Sequence, residues 1–220
     1  MTNCNFEHWW TLPGDWIEPP NERGKGWSAV LRAPNDGRPL YVKRQFNYFC
    51  RTLRHPLGWP TASRERHYLD RLDQLGIDVP VPVFHGVRKT ERGIEAVLVT
   101  EELTGYTDLG TLSSLDPARR AEVAHALGTV LGRLHRARLQ HSCLYDKHVM
   151  VRLDDGQPPR IALIDLEKMR PCLTRRNAAR RDLDQLHRRQ RIFSPEDWQV
   201  LLNAHAQAMR TDSPSRAPAV

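Results

Sequence analysis

Residues 141–148 read His141-Ser142-Cys143-Leu144-Tyr145-Asp146-Lys147-His148, and the chain then runs through Ile161-Ala162-Leu163-Ile164 to Asp165-Leu166-Glu167, with Asp165 seventeen residues beyond His148. The first stretch follows a long helical pattern and precedes a strand-like Val149-Met150-Val151. The second is an apolar strand that closes on a carboxylate. Burying an aspartate there is costly without a cation or hydrogen bonds. A metal on bound phosphates is one partner that would hold Asp165, and a turn-capping aspartate is the plainer reading. Loop, strand, turn, strand and carboxylate together give the geometry of a catalytic loop followed by a metal loop.

Working outward, Asp116 is an N-cap with Pro117 at the first helical position, and Val123, Leu127, Leu131 and Leu134 share one face of a helix predicted to run to about Arg138. A turn at Asp154 to Pro159 separates the two strands of the second half, the latter spanning Ile161 to Leu166. Two more helices are predicted, Asp182 to Arg191 and, from the Ser194-Pro195-Glu196 start, as far as Met209. The Thr211–Val220 tail, with Ser213, Pro214, Ser215 and Pro218, cannot build a core and is predicted to be disordered.

The first half has a different rhythm. Gly24 to Lys43 predicts a hairpin turning at Pro34-Asn35-Asp36-Gly37, and Thr61 to Leu75 a helix with Leu69, Leu72 and Leu75 in period and Gly76 as C-cap. Val79 to Val87 and Ile94 to Thr100 read as a second antiparallel pair. The expectation is a sheet with one helix, and a break between halves near Leu103 to Gly105. Gly24-Lys25-Gly26 would let backbone amides approach a phosphate, although a Gly-x-Gly hairpin turn is more often only a turn. Lys43 ends an apolar strand and Glu65 lies early on the following helix, where the dipole favours an acid. Each alone reads as a solvated side chain. In order, with the acidic segment Thr100-Glu101-Glu102-Leu103 after them, they make sense if the lysine neutralises nucleotide phosphates and the glutamate orients it.

Between Gly24 and Leu186 these residues resemble the lipopolysaccharide kinase (Kdo/WaaP) family, and within it an InaA-like branch that shares the protein-kinase and aminoglycoside-phosphotransferase fold. The resemblance implies an α+β, bilobal protein-kinase-like fold: a β-rich lobe over 1–103, a compact helical lobe over 104–210, and the 211–220 tail. It implies ATP in the cleft, with Gly24 and Gly26 in the glycine turn, Lys43 on the phosphates, Glu65 pairing it, and the backbone of Glu101 to Leu103 on adenine. Asp165 would hold Mg2+ or Mn2+, and Asp182 would brace the catalytic loop. One departure stands out. Where His-x-Asp and an Asn five residues later are expected, this chain has Cys143 and His148, a pattern similar to the InaA-like branch. A thiol with an ordinary pKa of about 8.5 is a poor base at neutral pH. His148 is then a candidate metal ligand and Asp146 a candidate base.

Composition limits the alternatives. The 220 residues are 40% hydrophobic and 27% charged, which suits a folded chain, and no apolar run approaches the roughly 20 residues of a membrane span. Met1 to Trp10 does not read as a secretory leader, and the four scattered cysteines fit a reducing cytosol. The net charge of +7 draws heavily on the arginines from Arg175 to Arg191, which read as solvated helix faces or as a contact for an acidic acceptor near the inner face of the inner membrane. A nucleic-acid binder is disfavoured, since no arginine-interleaved aromatic face, zinc pattern or helix-turn-helix appears. Two functions remain. One is an ATP-dependent kinase acting on a sugar hydroxyl of lipopolysaccharide core or a related glycolipid, the substrate class coming from the family. The other is a pseudokinase scaffold that binds nucleotide without turnover.

Overall fold

A computed structural model describes residues 5–17, 19–33 and 37–211. The residues expected to turn at Pro34 to Asp36, and the tail beyond Thr211, lie outside them. The chain divides into two compact units: the described residues up to Leu69 with Pro80–Thr104, and Asp70–Val79 with the described residues from Gly105 onward.

The first unit is built on an antiparallel sheet. A short helix α1 (Phe6–Thr11) precedes β1 (Asp15–Trp16), β2 (Asn21–Arg23), β3 (Gly26–Ala33) and β4 (Leu40–Phe46). A second hairpin, β5 (Phe49–Thr52) and β6 (His55–Pro60), leads into α2 (Thr61–Gln74), followed by β7 (Pro82–Lys89) and β8 (Ile94–Glu101). The main sheet is ordered β1-β3-β4-β8-β7, with β2 also paired to β3. Register puts Lys43 opposite Val30 on one side and Leu98 on the other.

Period-two alternation then splits β4 between two faces. Leu40 and Val42 join Trp9, Leu31, Ala33, Val97 and Val99 in a core covered by α1. Arg44 on that face is buried and donates to the carbonyls of Trp9 and Leu12, so the guanidinium ties α1 down, while burial pulls its pKa below the ordinary value. Tyr41, Lys43 and Gln45 point to the other face. The β2–β3 turn has Gly24 at φ +62°, the sign that the first central position of a type II′ turn needs. A side chain on Gly26 would lie 2.3 Å from the Asn47 carbonyl oxygen, so close backbone packing explains that glycine.

The second unit is mostly helical. After β9 (Thr107–Asp108) come α3 (Pro117–Arg136), β10 (Leu139–Gln140), β11 (Val149–Arg152), β12 (Arg160–Leu163), β13 (Arg170–Pro171), α4 (Arg175–Arg189) and α5 (Pro195–Arg210). Asp116 caps α3 by accepting from the amides of Ala118 and Arg119. Its Val123, Leu127, Leu131 and Leu134 are fully buried, and the helix packs chiefly on α5. That approach is close because Gly128 and Gly132 face it: a Cβ on Gly128 would sit 2.2 Å from the Leu201 carbonyl oxygen. A ladder β12-β11-β9 carries the loops of interest, and Asp78 bridges to Ala162 beside it.

Parts of the structure differ from the sequence reading. The helix expected to start at Asp182 begins at Arg175, because Thr174 caps it by accepting from the Asn177 amide, and Asp182 therefore lies in mid-helix. The strand expected to reach Leu166 stops at Leu163, since Asp165 takes a left-handed conformation and Leu166–Lys168 form one 3₁₀ turn. The first unit contains α1 and the β5–β6 hairpin in addition to the expected helix and strand pairs.

Candidate active site

On the β4 face opposite the core, Lys43 Nζ lies 2.5 Å from Glu65 Oε2, both side chains being mostly buried. Gln45 produces this meeting. Its Nε2 donates to Ser28 Oγ and Thr61 Oγ1, and its Oε1 accepts the Ala62 amide, which satisfies one of the orphan N–H groups at the start of α2. Pinned there, α2 presents Glu65 one turn later over Lys43. The segment after β8 is tied by its acids: Glu101 pairs with Arg38, and Glu102 takes a two-pronged contact from Arg32 plus the Tyr41 hydroxyl. The Arg32 hydrogen bonds hold the Glu102 carboxyl below its ordinary range, and the side chains of both residues are thereby turned to salt bridges. Leu103 follows them, half-buried.

The 141–148 loop in the second unit is held from below by α4. Asp182, fully buried, accepts the His141 amide at 2.6 Å and the Ser142 amide at 3.0 Å, and meets His135 Nε2 at 3.2 Å. Three residues along the same helix face, Gln185 Oε1 accepts the Leu144 amide at 3.0 Å. A carboxylate only accepts, so His135 presents Nε2–H to it and leaves Nδ1 to accept from His205 Nε2–H at 2.9 Å. Burial, with His135 adding to it, pulls the His205 pKa down to about 4.

His141 positions the strand end. Its Nε2–H donates to the Ile164 carbonyl and the Ile164 amide donates to the His148 carbonyl, so Ile164 is fixed from both sides just before Asp165. Burial lowers the His141 pKa, which keeps the ring neutral, and its Nδ1 is buried without a hydrogen-bond partner. Ser142 (φ +67°) and Asp165 (φ +58°) are two of four described non-glycine residues with positive φ. Such strained positions persist where surroundings over-determine them, and they cluster at functional sites.

Three donors converge here. Cys143 Sγ, His148 and an Asp165 carboxylate oxygen all lie within 4.8 Å of one another. His148 Nδ1–H donates to the Cys143 carbonyl at 2.7 Å, and its Nε2 stands 3.4 Å from Asp165 Oδ2. Lys168 Nζ lies 4.0 Å from Cys143 Sγ. Burial, and then the charge of Asp165, push the Cys143 thiol up, so it stays protonated at neutral pH and less thiolate is present to act as a base than for an unperturbed cysteine. Asp146 stands apart from the three. Its Oδ1 accepts the Lys147 amide and its Oδ2 is 3.3 Å from where a Gly110 side chain would begin.

Of the residues singled out in the sequence, the structure brings Lys43 to Glu65 and brings Cys143, His148 and Asp165 together. Gly24 and Gly26 form the β2–β3 turn. Sequence reasoning missed Gln45, Gln185, His135 and His205. Gln185 was the most accessible of these, being three residues beyond Asp182 on one helix face.

The family model described as "Lipopolysaccharide kinase (Kdo/WaaP) family" matches residues 7–205. Protein InaA of Escherichia coli (strain K12) is 32% identical over 200 residues, spanning 88% of this chain and 92% of that protein. A solved structure of WaaP in complex with acyl carrier protein superposes with a TM-score of 0.72 at 24% identity, covering 92% of this chain and 82% of that one. The α+β, bilobal protein-kinase-like architecture expected from the sequence is thus the fold of this chain. With the family model matched along almost its whole length and InaA related at this level, the chain belongs to the lipopolysaccharide kinase (Kdo/WaaP) family.

Proposed function

We propose that the protein is an ATP-dependent kinase that transfers phosphate to a sugar hydroxyl of lipopolysaccharide core or a related glycolipid, at the cytoplasmic side and near the inner face of the inner membrane. The observation that carries the reading is the braced 141–148 loop with Asp165 fixed behind it, a pre-organised arrangement of the kind phosphoryl transfer relies on for positioning and charge. Lys43, oriented by Glu65, would neutralise phosphates. The Glu101–Leu103 backbone would receive the adenine, and the Gly24–Gly26 turn would cover the phosphates. Membership of this family points to a glycolipid acceptor.

The family also implies a divalent cation. Asp165 supplies one hard oxygen donor and His148 one imidazole nitrogen, a pair that suits Mn2+ better than Mg2+, which prefers oxygen throughout. A cation there would supply positive charge to the transferring phosphoryl group. Neither candidate base faces the task directly: the Cys143 thiol is held protonated, and Asp146 is turned toward Gly110. That same observation favours the second reading, a pseudokinase that binds nucleotide without turnover.

Thermal-shift measurements with ATP and Mn2+ or Mg2+, followed by mass spectrometry of lipopolysaccharide-core acceptors, separate the two. An active kinase shows metal-dependent nucleotide protection and phosphate transfer, both lost in Asp165→Ala. A pseudokinase shows the protection alone. Transfer that survives Asp165→Ala sinks both, because in each the metal depends on the Asp165 carboxylate.

A further inference from the structure

The Cys143, His148 and Asp165 donors have a chemistry different from the oxygen-rich set that magnesium demands. His148 Nδ1 donates to the Cys143 carbonyl, which can only accept, so Nε2 is the ring nitrogen left to meet a metal. That nitrogen stands 3.4 Å from Asp165 Oδ2. A backbone carbonyl on the second nitrogen is also the usual outer-shell partner of a metal-ligating histidine, since it fixes ring orientation and tautomer. The third corner is sulfur: Cys143 Sγ lies within 4.8 Å of both other donor atoms.

We propose that Cys143 Sγ, His148 Nε2 and the Asp165 carboxylate form a three-donor site for a thiophilic divalent cation of the zinc type, with a fourth position open to water or a phosphate oxygen. Tetrahedral zinc with bonds of about 2.0–2.1 Å to nitrogen and oxygen and about 2.3 Å to sulfur has donor–donor edges of roughly 3.3 to 3.6 Å. The His148–Asp165 spacing of 3.4 Å already fits that edge, and the sulfur needs about an ångström or less of closure, within reach of a side-chain adjustment. The donor set of one sulfur, one nitrogen and one oxygen selects against magnesium and for ions late in the first transition row. Three protein ligands with one position left over is the pattern of a reactive zinc site, whereas structural sites are closed by four. The loop that carries two of the donors is fixed by Asp182 and Gln185, so little ordering remains to oppose binding. The inference goes beyond phosphate transfer and does not require it.

The test uses the full chain, freed of metal and kept reduced without thiols, titrated with Co2+. The expected result is a near-ultraviolet sulfur-to-cobalt charge-transfer band with visible bands of tetrahedral intensity, bleached by one equivalent of Zn2+ and untouched by a large excess of Mg2+. Cys143→Ala removes the charge-transfer band and weakens Zn2+ binding by about 100-fold or more. His148→Ala weakens it comparably, and circular dichroism shows whether each variant has kept its fold. Combining Cys4→Ser, Cys50→Ser and Cys172→Ser leaves the band in place. No band in the wild-type chain, a band that survives Cys143→Ala, one lost in the triple variant, or displacement by Mg2+ overturns the site. A parallel thermal shift with ATP and Mg2+ keeps the two readings apart. Nucleotide protection without a cobalt band refutes this site and leaves the kinase reading standing. A cobalt band without nucleotide protection does the reverse.

Discussion

Asp182→Asn removes one charge and almost no volume from a fully buried carboxylate of the second unit that accepts three hydrogen bonds. The carboxylate takes the His141 amide and His135 Nε2–H on Oδ2 and the Ser142 amide on Oδ1, with no exposed surface. An asparagine has only one acceptor. Its least costly orientation keeps the oxygen on the Oδ2 side, where two donors sit, and turns its NH2 against the Ser142 N–H. Leaving that amide buried without a partner costs about 1–3 kcal/mol. Weakening the other two bonds from charge-assisted to neutral adds about 1 kcal/mol. The total of about 3 kcal/mol corresponds to a fall in Tm of about 6–12 °C for a chain of this size. Thermal melts followed by circular dichroism, without nucleotide, read the shift, and hydrogen exchange at residues 141 and 142 shows whether the loop has loosened. A melting point within about 2 °C of wild type, or unchanged protection of both amides, would refute the bracing role.

Other parts of the molecule make separate predictions. Gly128→Ala gains up to about 1 kcal/mol of helix propensity but drives a methyl group onto the Leu201 carbonyl, so a net loss of about 1–3 kcal/mol is expected by denaturant titration; Gly37→Ala, in open space, should change little. Gln45→Leu leaves the buried Ala62 amide unsatisfied and unpins the start of α2, predicting a loss of about 1–3 kcal/mol and weaker nucleotide protection in the same thermal-shift assay. His205, whose pKa falls from an ordinary 6.5 to about 4, binds its proton more readily unfolded than folded. Its contribution is complete above about pH 6.5 and is lost as pH falls toward 4, on the order of 2 kcal/mol once partial solvent screening is allowed for. Melts of wild type and His205→Gln between pH 4 and 7 should therefore converge toward the acid end, and parallel curves would contradict the assignment.

Much of this fold could be read from short-range signals. Asp116-Pro117 fixes the start of α3 because cap and first-turn preferences act within four residues. Apolar, β-rich runs set off by turn residues gave β3, β4, β7 and β8 for the same reason: composition and turn signals are local. The start of α4 was misplaced because Thr174 is followed by Arg175-Arg176-Asn177, with no apolar period to mark a helix until Ala178 and Ala179 become buried. The β5–β6 hairpin was missed because Arg51, Arg54, Pro56 and Pro60 interrupt any alternation. Its tip leaves Leu53 and Leu57 exposed, so burial patterning had nothing to act on there. In the site, Lys43, Glu65, Asp165 and Asp182 were legible from residue order within the family pattern. Gln45 and His205 were not, since their roles depend on partners 16 and 70 residues away, separations that leave no trace in a local window.

The departure at Cys143 acquires a physical meaning once these supports are placed. Costly elements shape this site: a buried aspartate with three donors, a neutral buried histidine with an unpartnered nitrogen, and two non-glycine residues at positive φ. Strain of about 1–3 kcal/mol at each of the last two persists only where surrounding contacts enforce it. All of these flank the Cys143, His148 and Asp165 donors. What differs from the expected kinase loop is the donor chemistry at two positions, with a protonated thiol at one and an imidazole at the other. A loose phosphoryl transition state draws little on a general base and much on charge and alignment. Under the kinase reading, the cost of Cys143 therefore falls on acceptor deprotonation, and that of His148 on the choice of metal. Cys143→Asp should then raise turnover by supplying a carboxylate base, while Cys143→Ser, offering neither base nor charge, should leave it near wild type. Loss of transfer in both variants would place the thiol itself in the chemistry.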